Sequence, residues 1–466
     1  MMELRDKDVV VLGLGRSGMA AATLLQRDGA RVVVRDENDG GELIERAHRL
    51  RQLGVRVELG NQFDLAARFD LAVLSPGIAP ERPVVRALGR QTPVLSELEL
   101  AYRHCICPII AITGTNGKTT TTELMAEVLA GCGKRTAAAG NIGTAFSEAV
   151  EGSAGLDAVT LEVSSFQLEK IEQFRPSVAV LLNIMPDHLD RYRSMEEYAA
   201  AKARIFLNQT AEDTAVVSAE ALALLRQQGF PIRSRLITFS AYNHEADLWL
   251  DWADGDTIWC QLPECRGILL KLTETNLRGA HNAENIMAVL AAGLAFGLPI
   301  RAMREAILAY CPQPHRCEIV AELNGVTYIN DSKATNADAV IKALRSLTQP
   351  VILIAGGRDK GLDYSVAREA LAQKVKLAVL IGEARERLAR AWQSVVPCVQ
   401  ADTLDEAVAI AAQQAVAGDA VLLSPACASF DMFRNYEHRG EEFKRAVFAV
   451  HNQVRNNQPT VRERNP

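Results

Sequence analysis

The run Thr113-Gly114-Thr115-Asn116-Gly117-Lys118-Thr119-Thr120 carries the residue types needed to hold a triphosphate. Its glycines permit a tight turn whose backbone N–H groups face phosphate oxygens, and the helix predicted over TTTTELMAEVLAG adds the positive end of its dipole. Lys118 can reach the β- and γ-phosphates and Thr119 can set a hydroxyl on Mg²⁺, so ATP is the ligand this loop predicts. Ile112 stands where the commonest form of the loop begins with glycine, but the strand before and the helix after supply the required context. A second phosphate turn lies upstream. Gly13, Gly15 and Gly18 in VVVLGLGRSGMAAATLL spell G-x-G-x-x-G, and Asp36 follows at the spacing of a ribose-binding acid. By itself that turn, the first along the chain, indicates a nicotinamide cofactor, which competes with the ATP reading of the loop at Thr113.

Downstream of the ATP loop, LEVSSFQLE places Glu162 and Ser164 after an apolar run, and NIMPDHLDRY places Asp187, His188 and Asp190 after another. A magnesium nucleotide takes oxygen ligands, so Glu162 fits beside the γ-phosphate, with His188 as an added imidazole. Lys202 shares a helical stripe with Tyr198, Ile205 and Phe206, where a lysine ordinarily extends to solvent.

The elements that must position these groups read as α/β throughout. Short β-branched runs alternate with helical stretches, which implies parallel sheets covered by helices. Three domains follow: a Rossmann-like unit over 1–97, a central P-loop ATPase-type parallel sheet over 98–312, and a second Rossmann-like unit over 313–466. Ligands gather beyond the carboxyl ends of such strands, so Thr113, Glu162 and Asn183 are expected at one site. Residues 235–275 read as short strands in an attached antiparallel sheet, Pro312 and Pro314 as a linker, and the tail NNQPTVRERNP as disordered.

Bulk properties narrow the partners. The 466 residues are 48% hydrophobic and 23% charged with a net charge of −6, which offers no attraction to nucleic acid or an anionic membrane. No stretch approaches the roughly 18 apolar residues of a membrane span, and MMELRDKDVVVLGLG lacks the form of a signal peptide, so a cytoplasmic location is expected. The nine scattered cysteines read as reduced structural thiols.

TGTNGKTT, LEVSSFQLE, DHLDRY, GAHNAENIMAVLA, INDSKATN and SPACASFDMF occur in an order that resembles the Mur ligases of bacterial cell-wall synthesis and their relatives, the folylpolyglutamate synthetases. The last two motifs and the length look like the branch that adds D-glutamate, and the D-N-P-R signature of the diaminopimelate or lysine branch is absent. The resemblance implies a monomer that joins the L-alanyl carboxylate of UDP-N-acetylmuramoyl-L-alanine to D-glutamate through an acyl phosphate. By motif match, Thr119 and Glu162 hold one Mg²⁺ and His188 a second, while Lys202 matches a lysine carried as a CO₂ adduct, a carbamate. An anionic carbamate suits a metal site where an ammonium does not.

The same resemblance places Gly114, Thr115, Asn116, Gly117, Lys118, Thr119, Thr120, Asn282, Asn285, Arg316 and Asp331 at ATP, and Lys333 beside the phosphates or the incoming amine. D-Glutamate falls to Thr335, Lys360, Ser429, Phe430 and Tyr436. The first turn then holds UDP rather than NAD, through Gly15, Arg16, Ser17 and Asp36, with Ser75, Pro76, Gly77, Asn141 and Ser164 completing that substrate's site. Closure about the Pro312 linker is expected to accompany turnover. The rival readings are another amino acid or acceptor within the family, and an NAD-dependent oxidoreductase with an accessory ATPase.

Overall fold

A computed structural model describes residues 3–456 apart from 61–67, 81, 187, 189, 190, 278, 312, 313, 348 and 360. The chain forms two compact units, Met1–Cys311 and Pro312–Pro466.

The first unit contains two sheets. In the smaller one the strands run in the order Arg56–Leu59, Arg31–Asp36, Asp8–Leu12, Leu71–Leu74 and Val94–Ser96, all parallel. The order reverses direction beside Asp8–Leu12, so a crevice opens at its carboxyl end, where the Gly13 turn begins. Gly18 packs that turn against the helix Arg16–Arg27, and a Cβ there would overlap the Gly13 carbonyl oxygen.

In the nine-stranded sheet, Ile109–Thr113 lies between Ala158–Glu162 and Val178–Leu181, and every residue of these three strands is buried. Such two-faced burial requires helices on both sides. One of them, Ala280–Ala295, is buried at every position from Ile286 to Gly293. The segment expected to form an attached antiparallel sheet instead extends this one. Arg235–Ser240 pairs in parallel with Thr214–Ser218, and Phe239 and Ser240 pair in parallel with Leu248 and Trp249. Only Leu248–Asp251, Thr257–Cys260 and Gly267–Lys271 run antiparallel, as a meander at the edge. Short strands with tight turns signalled the hairpins, but nothing local signalled the parallel junction.

The second unit is a six-stranded sheet in the order Glu318–Leu323, Val326–Asn330, Ala420–Leu423, Val351–Gly356, Val375–Ile381 and Cys398–Gln400, parallel except for its first pair. The long helix Tyr436–Asn456 closes the chain's described part, and the tail expected to be disordered lies mostly outside the described residues. No described helix is long and apolar enough to cross a membrane.

Candidate active site

The ATP-type loop leaves Ile109–Thr113 and enters the helix Lys118–Gly131. Gly117 occupies the left-handed region at φ +81°, and a Cβ there would overlap Asn285 Oδ1, so glycine is required on both counts. The loop is pinned by a residue at the end of the neighbouring strand. Asn183 Oδ1 accepts from Thr115 N at 3.0 Å and Asn116 N at 2.9 Å, and Asn183 Nδ2 donates to the Asn116 carbonyl at 3.3 Å. The amides of Thr115 and Asn116 are thus directed at Asn183. The helix N-terminus at Lys118, Thr119 and Thr120 is an anion-attracting feature beside them.

Two lysines converge on the loop. Lys118 Nζ donates to the carbonyls of Gly114 at 2.9 Å and Thr115 at 2.8 Å, while Lys202 Nζ donates to the same Gly114 oxygen at 2.7 Å. The expectation that Lys202 runs to solvent, taken from its stripe alone, is overturned, since it is 2% exposed and its ammonium lies 4.7 Å from the Tyr198 ring centre. Two cations on one carbonyl oxygen make a strongly positive spot that an anion relieves. Tyr198 also ties Thr115, hydroxyl to hydroxyl at 3.2 Å, and its ring lies 6.0 Å from His188. His188 adopts φ +54° and packs on Phe166 with ring centres 4.9 Å apart. Asp187 and Asp190 lie outside the described residues.

Glu162 joins the two phosphate turns. Its Oε2 accepts from Thr119 Oγ1 at 2.8 Å and its Oε1 from Asn141 Nδ2 at 2.7 Å, although the carboxylate is 2% exposed. Asn141 begins the Asn141-Ile142-Gly143 loop, and Arg16 of the first turn donates to the Gly143 carbonyl. Arg16, Asn141, Glu162 and Thr119 therefore form one connected path. Around the first turn, both Asp36 oxygens are engaged by backbone: Oδ2 accepts from Leu14 N at 2.7 Å and Oδ1 from Asn38 N at 3.0 Å. The Ser75 hydroxyl donates to the Gly13 carbonyl at 3.0 Å and is buried, whereas Gly15, Ser17 and Pro76 are half-buried and Gly77 is exposed. Ser164 caps the short helix Ser165–Leu168, accepting from Gln167 N at 3.3 Å.

Asn282 and Asn285 share one face of Ala280–Ala295. Asn285 Nδ2 donates to Asn282 Oδ1 at 3.2 Å, and its own Oδ1 accepts from Thr121 at 3.1 Å, which sets both beside the loop's helix.

In the second unit, groups gather at the carboxyl ends of Val326–Asn330, Val351–Gly356 and Ala420–Leu423. Asp331 accepts from Ser424 Oγ at 2.8 Å and from Cys317 N at 3.2 Å. Burial pushes its carboxyl up to about 6, against these hydrogen bonds and the nearby Arg316 charge. Arg316 is exposed on a segment whose neighbours His315 and Cys317 take positive φ. Lys333 N donates to the His315 carbonyl at 3.0 Å, and the Lys333 ammonium lies 5.9 Å from the Tyr436 ring centre. Thr335 is half-buried, Ser429 is 2% exposed and Phe430 is 64% exposed. Lys360 lies outside the described residues.

Sequence reasoning missed Arg439. It is fully buried, donating to Ser332 Oγ at 3.0 Å and to the carbonyls of Ser332 at 2.8 Å and Cys427 at 3.1 Å. It thereby ties the loop after Val326–Asn330 to the one after Ala420–Leu423, and burial lowers its guanidinium to about 10. Asn183 was read as a strand end but not as the residue that shapes the loop. Tyr198 was seen only as a member of an apolar stripe.

For magnesium, the donors fit. Thr119 and Glu162 present hard oxygens side by side, and the described residues hold no cluster of three or more His, Cys, Asp or Glu that would cage a metal.

A P-loop sheet joined to a second phosphate turn defines a nucleotide-binding protein, and the matches to known proteins place the chain in the Mur ligase family. The family's profiles match in order: "Mur ligase MurD-like, N-terminal domain" over residues 7–95, "Mur ligase middle domain" over 112–293, and "Mur ligase, glutamate ligase domain" over 315–427. The UDP-N-acetylmuramoylalanine--D-glutamate ligase of Geotalea uraniireducens is 43% identical over 451 residues, covering 96% of this chain and 98% of its own. That of Koribacter versatilis is 42% identical over 448 residues, with coverage of 96% and 98%. Among solved structures, the fold is shared with a murein peptide ligase from Psychrobacter arcticus, at TM-score 0.51 and 17% identity, covering 98% of this chain and 100% of that one. It is shared also with the UDP-N-acetylmuramate-alanine ligase of Thermotoga maritima, at TM-score 0.50 and 19% identity, covering 97% and 100%.

Proposed function

We propose that this chain is a cytoplasmic, monomeric ATP-dependent ligase that forms the amide bond between UDP-N-acetylmuramoyl-L-alanine and D-glutamate in peptidoglycan precursor synthesis. The observation that carries the reading is the Glu162 carboxylate, shared between Thr119 of the ATP loop and Asn141, whose loop meets Arg16 of the first turn. A reaction between a nucleotide-linked carboxylate and a γ-phosphate needs such a junction. The names of the relatives support the choice of substrates.

A carboxylate is a poor acceptor for an amine until phosphorylation gives it a leaving group. The muramoyl carboxylate attacks the γ-phosphate, the amine attacks the resulting acyl phosphate, and the tetrahedral intermediate expels phosphate. Phosphoryl transfer of this kind depends on positioning and charge neutralisation. Lys118 gives its ammonium to the β- and γ-phosphates, exchanging two loop carbonyls for phosphate oxygens. Gly114, Thr115, Asn116, Gly117 and Thr120 shape the loop and its helix, Asn282 lies near the nucleotide, and Asn285 and Asp331 face the adenine and ribose. Arg316 and Lys333 serve the phosphates or the incoming amino acid. Thr335, Lys360, Ser429, Phe430 and Tyr436 hold D-glutamate, whose side-chain carboxylate calls for cationic and hydroxyl donors. Gly15, Arg16 and Ser17 receive the uridine diphosphate, with Asp36 and Ser75 fixing the turn and Pro76, Gly77, Asn141 and Ser164 nearby.

Thr119 and Glu162 would hold one Mg²⁺, and His188 with Lys202 a second. When bound, the ions neutralise phosphate charge. Lys202 would serve as a carbamate formed with CO₂; its nitrogen keeps an N–H for the Gly114 carbonyl while the positive charge is replaced by a negative one.

The test is phosphate release with ATP, Mg²⁺ and UDP-N-acetylmuramoyl-L-alanine, with D-glutamate supplied, omitted, or replaced by L-glutamate, L-alanine, L-lysine or diaminopimelate. Release that requires the muramoyl nucleotide and D-glutamate together is expected. Release with a different amino acid moves the protein within its family, and no release under any combination overturns the proposal.

A further inference from the structure

All nine cysteines are free thiols, and two of them lie in unusual proximity. Cys260 ends the strand Thr257–Cys260 with its side chain in the core, opposite Leu248 on one side and Gly267 on the other. The chain then turns at buried Leu262 through Pro263–Cys265, and Cys265 N donates to the Leu262 carbonyl at 3.1 Å. This turn brings the half-buried Cys265 back over Cys260, with the two sulfurs 2.9 Å apart. From that separation the sulfurs have to close by only about 1 Å to reach the bonding distance of about 2.05 Å. The other close pair, Cys105 and Cys107, is separated by a single residue and its sulfurs stand 3.7 Å apart.

We propose that Cys260 and Cys265 form a reversible dithiol–disulfide couple that takes a low-molecular-weight disulfide as its oxidant. Cys265, the accessible member, loses its proton and its sulfur attacks one sulfur of the small disulfide. That bond breaks, and the departing thiolate takes up a proton. Cys260 then gives up its proton, attacks the Cys265 sulfur and displaces the second small thiol. Two protein thiols thus lose two electrons and two protons, which the small disulfide gains as two thiols. Burial pushes the Cys260 thiol up to about 12, so the first attack falls to Cys265. The ring that forms closes the turn feeding the edge strand Gly267–Lys271, whose Leu269 and Leu270 share a core with Ala283 and Ile286 of the Asn282–Asn285 helix.

The sequence provides a direct assay, because the tryptic peptide 236–266 contains both cysteines and no other. The whole protein is treated with oxidised glutathione, unfolded in N-ethylmaleimide, digested and weighed. The expected peptide carries no maleimide, is lighter than the dithiol by about 2 Da, and regains both labelling sites after dithiothreitol. Cys260→Ser should stop at a lasting glutathione adduct on Cys265, and Cys265→Ser should leave Cys260 labelled. The proposal fails if the parent peptide keeps both labels, or if it accumulates the adduct on Cys265 while Cys260 remains open to maleimide.

Discussion

Replacing Asn183 with Ala tests whether the ATP loop is shaped from outside. The side chain makes three hydrogen bonds to the loop: Oδ1 with Thr115 N at 3.0 Å and Asn116 N at 2.9 Å, and Nδ2 with the Asn116 carbonyl at 3.3 Å. Each is worth about 1 kcal/mol net, and because Asn183 is half-buried, water replaces part of that in the variant. The backbone bond from Thr115 N to the Asn183 carbonyl, at 3.1 Å, survives. About 2 kcal/mol of loop order then has to be recovered from nucleotide binding, which predicts a roughly 30-fold weaker affinity for ATP. Calorimetric titration with a non-hydrolysable ATP analogue measures it, and titration with the muramoyl nucleotide supplies the control, where a change under about twofold is expected. Asn183→Asp retains both acceptor bonds but sets a negative charge where phosphate must come, so it also weakens ATP. A folded Ala variant that binds the analogue within about twofold of the parent would refute the reasoning, since the loop would then hold its shape through backbone contacts alone.

Lys202→Ala should abolish phosphate release, and a short carboxylic acid at high concentration should partly restore it by replacing the carbamate; full activity without rescue removes that role. Glu162→Gln should lower kcat by about 100-fold and weaken both nucleotides, because the carboxylate serves Thr119 and Asn141 together; an effect confined to ATP would separate the two turns. Gly18→Ala should cost about 3 kcal/mol or more, read as a lower urea midpoint, because the added Cβ meets the Gly13 carbonyl rather than a movable side chain. Asp331 titrates at about 6 when folded against 3.8 in the reference state, so the folded protein binds the proton more tightly. Its contribution is fully present below about pH 4 and is lost as pH rises through about 6, an effect of about 3 kcal/mol. Asp331→Asn should remove that loss, so the variant's stability stays level across the window where the parent's falls, and a parent-like slope in the variant would contradict the burial argument.

The parts of the site that could be read from the sequence are those written in consecutive residues. Gly114 to Thr120 announce a phosphate loop because backbone geometry and a helix start are local properties. Glu162 and Asn183 followed from a less local rule, that parallel strands deliver their ligands at their carboxyl ends. What that rule could not supply was the direction of each bond. The amides of Thr115 and Asn116 turn toward a side chain more than sixty positions away, and any polar residue at that strand end would have looked the same beforehand. Lys202 shows the converse. Its helical stripe indicates a solvated amine, and only the Gly114 carbonyl, distant in sequence, explains why the amine is buried. Arg439 left no sign, because apart from the Ser332 hydroxyl its partners are carbonyls, which every residue has.

The Gly13 turn shows how far a motif can carry a ligand. Its amides and helix N-terminus favour any diphosphate, and so do not distinguish UDP from NAD. The residue that would tip the choice to NAD is Asp36, through a ribose hydroxyl. Yet one of its oxygens accepts from Leu14 N and the other from Asn38 N, so the carboxylate is already employed in holding the turn's shape. A ribose would have to share an oxygen with the backbone or displace a bond that the turn uses. What decides the ligand is therefore not the glycines but where the turn leads, through Arg16 to Gly143 and from Asn141 to the carboxylate beside the second phosphate loop. Under the proposed function that path would join one nucleotide to another, as a ligase acting on a nucleotide-linked acid requires, whereas hydride transfer has no use for the γ-phosphate end.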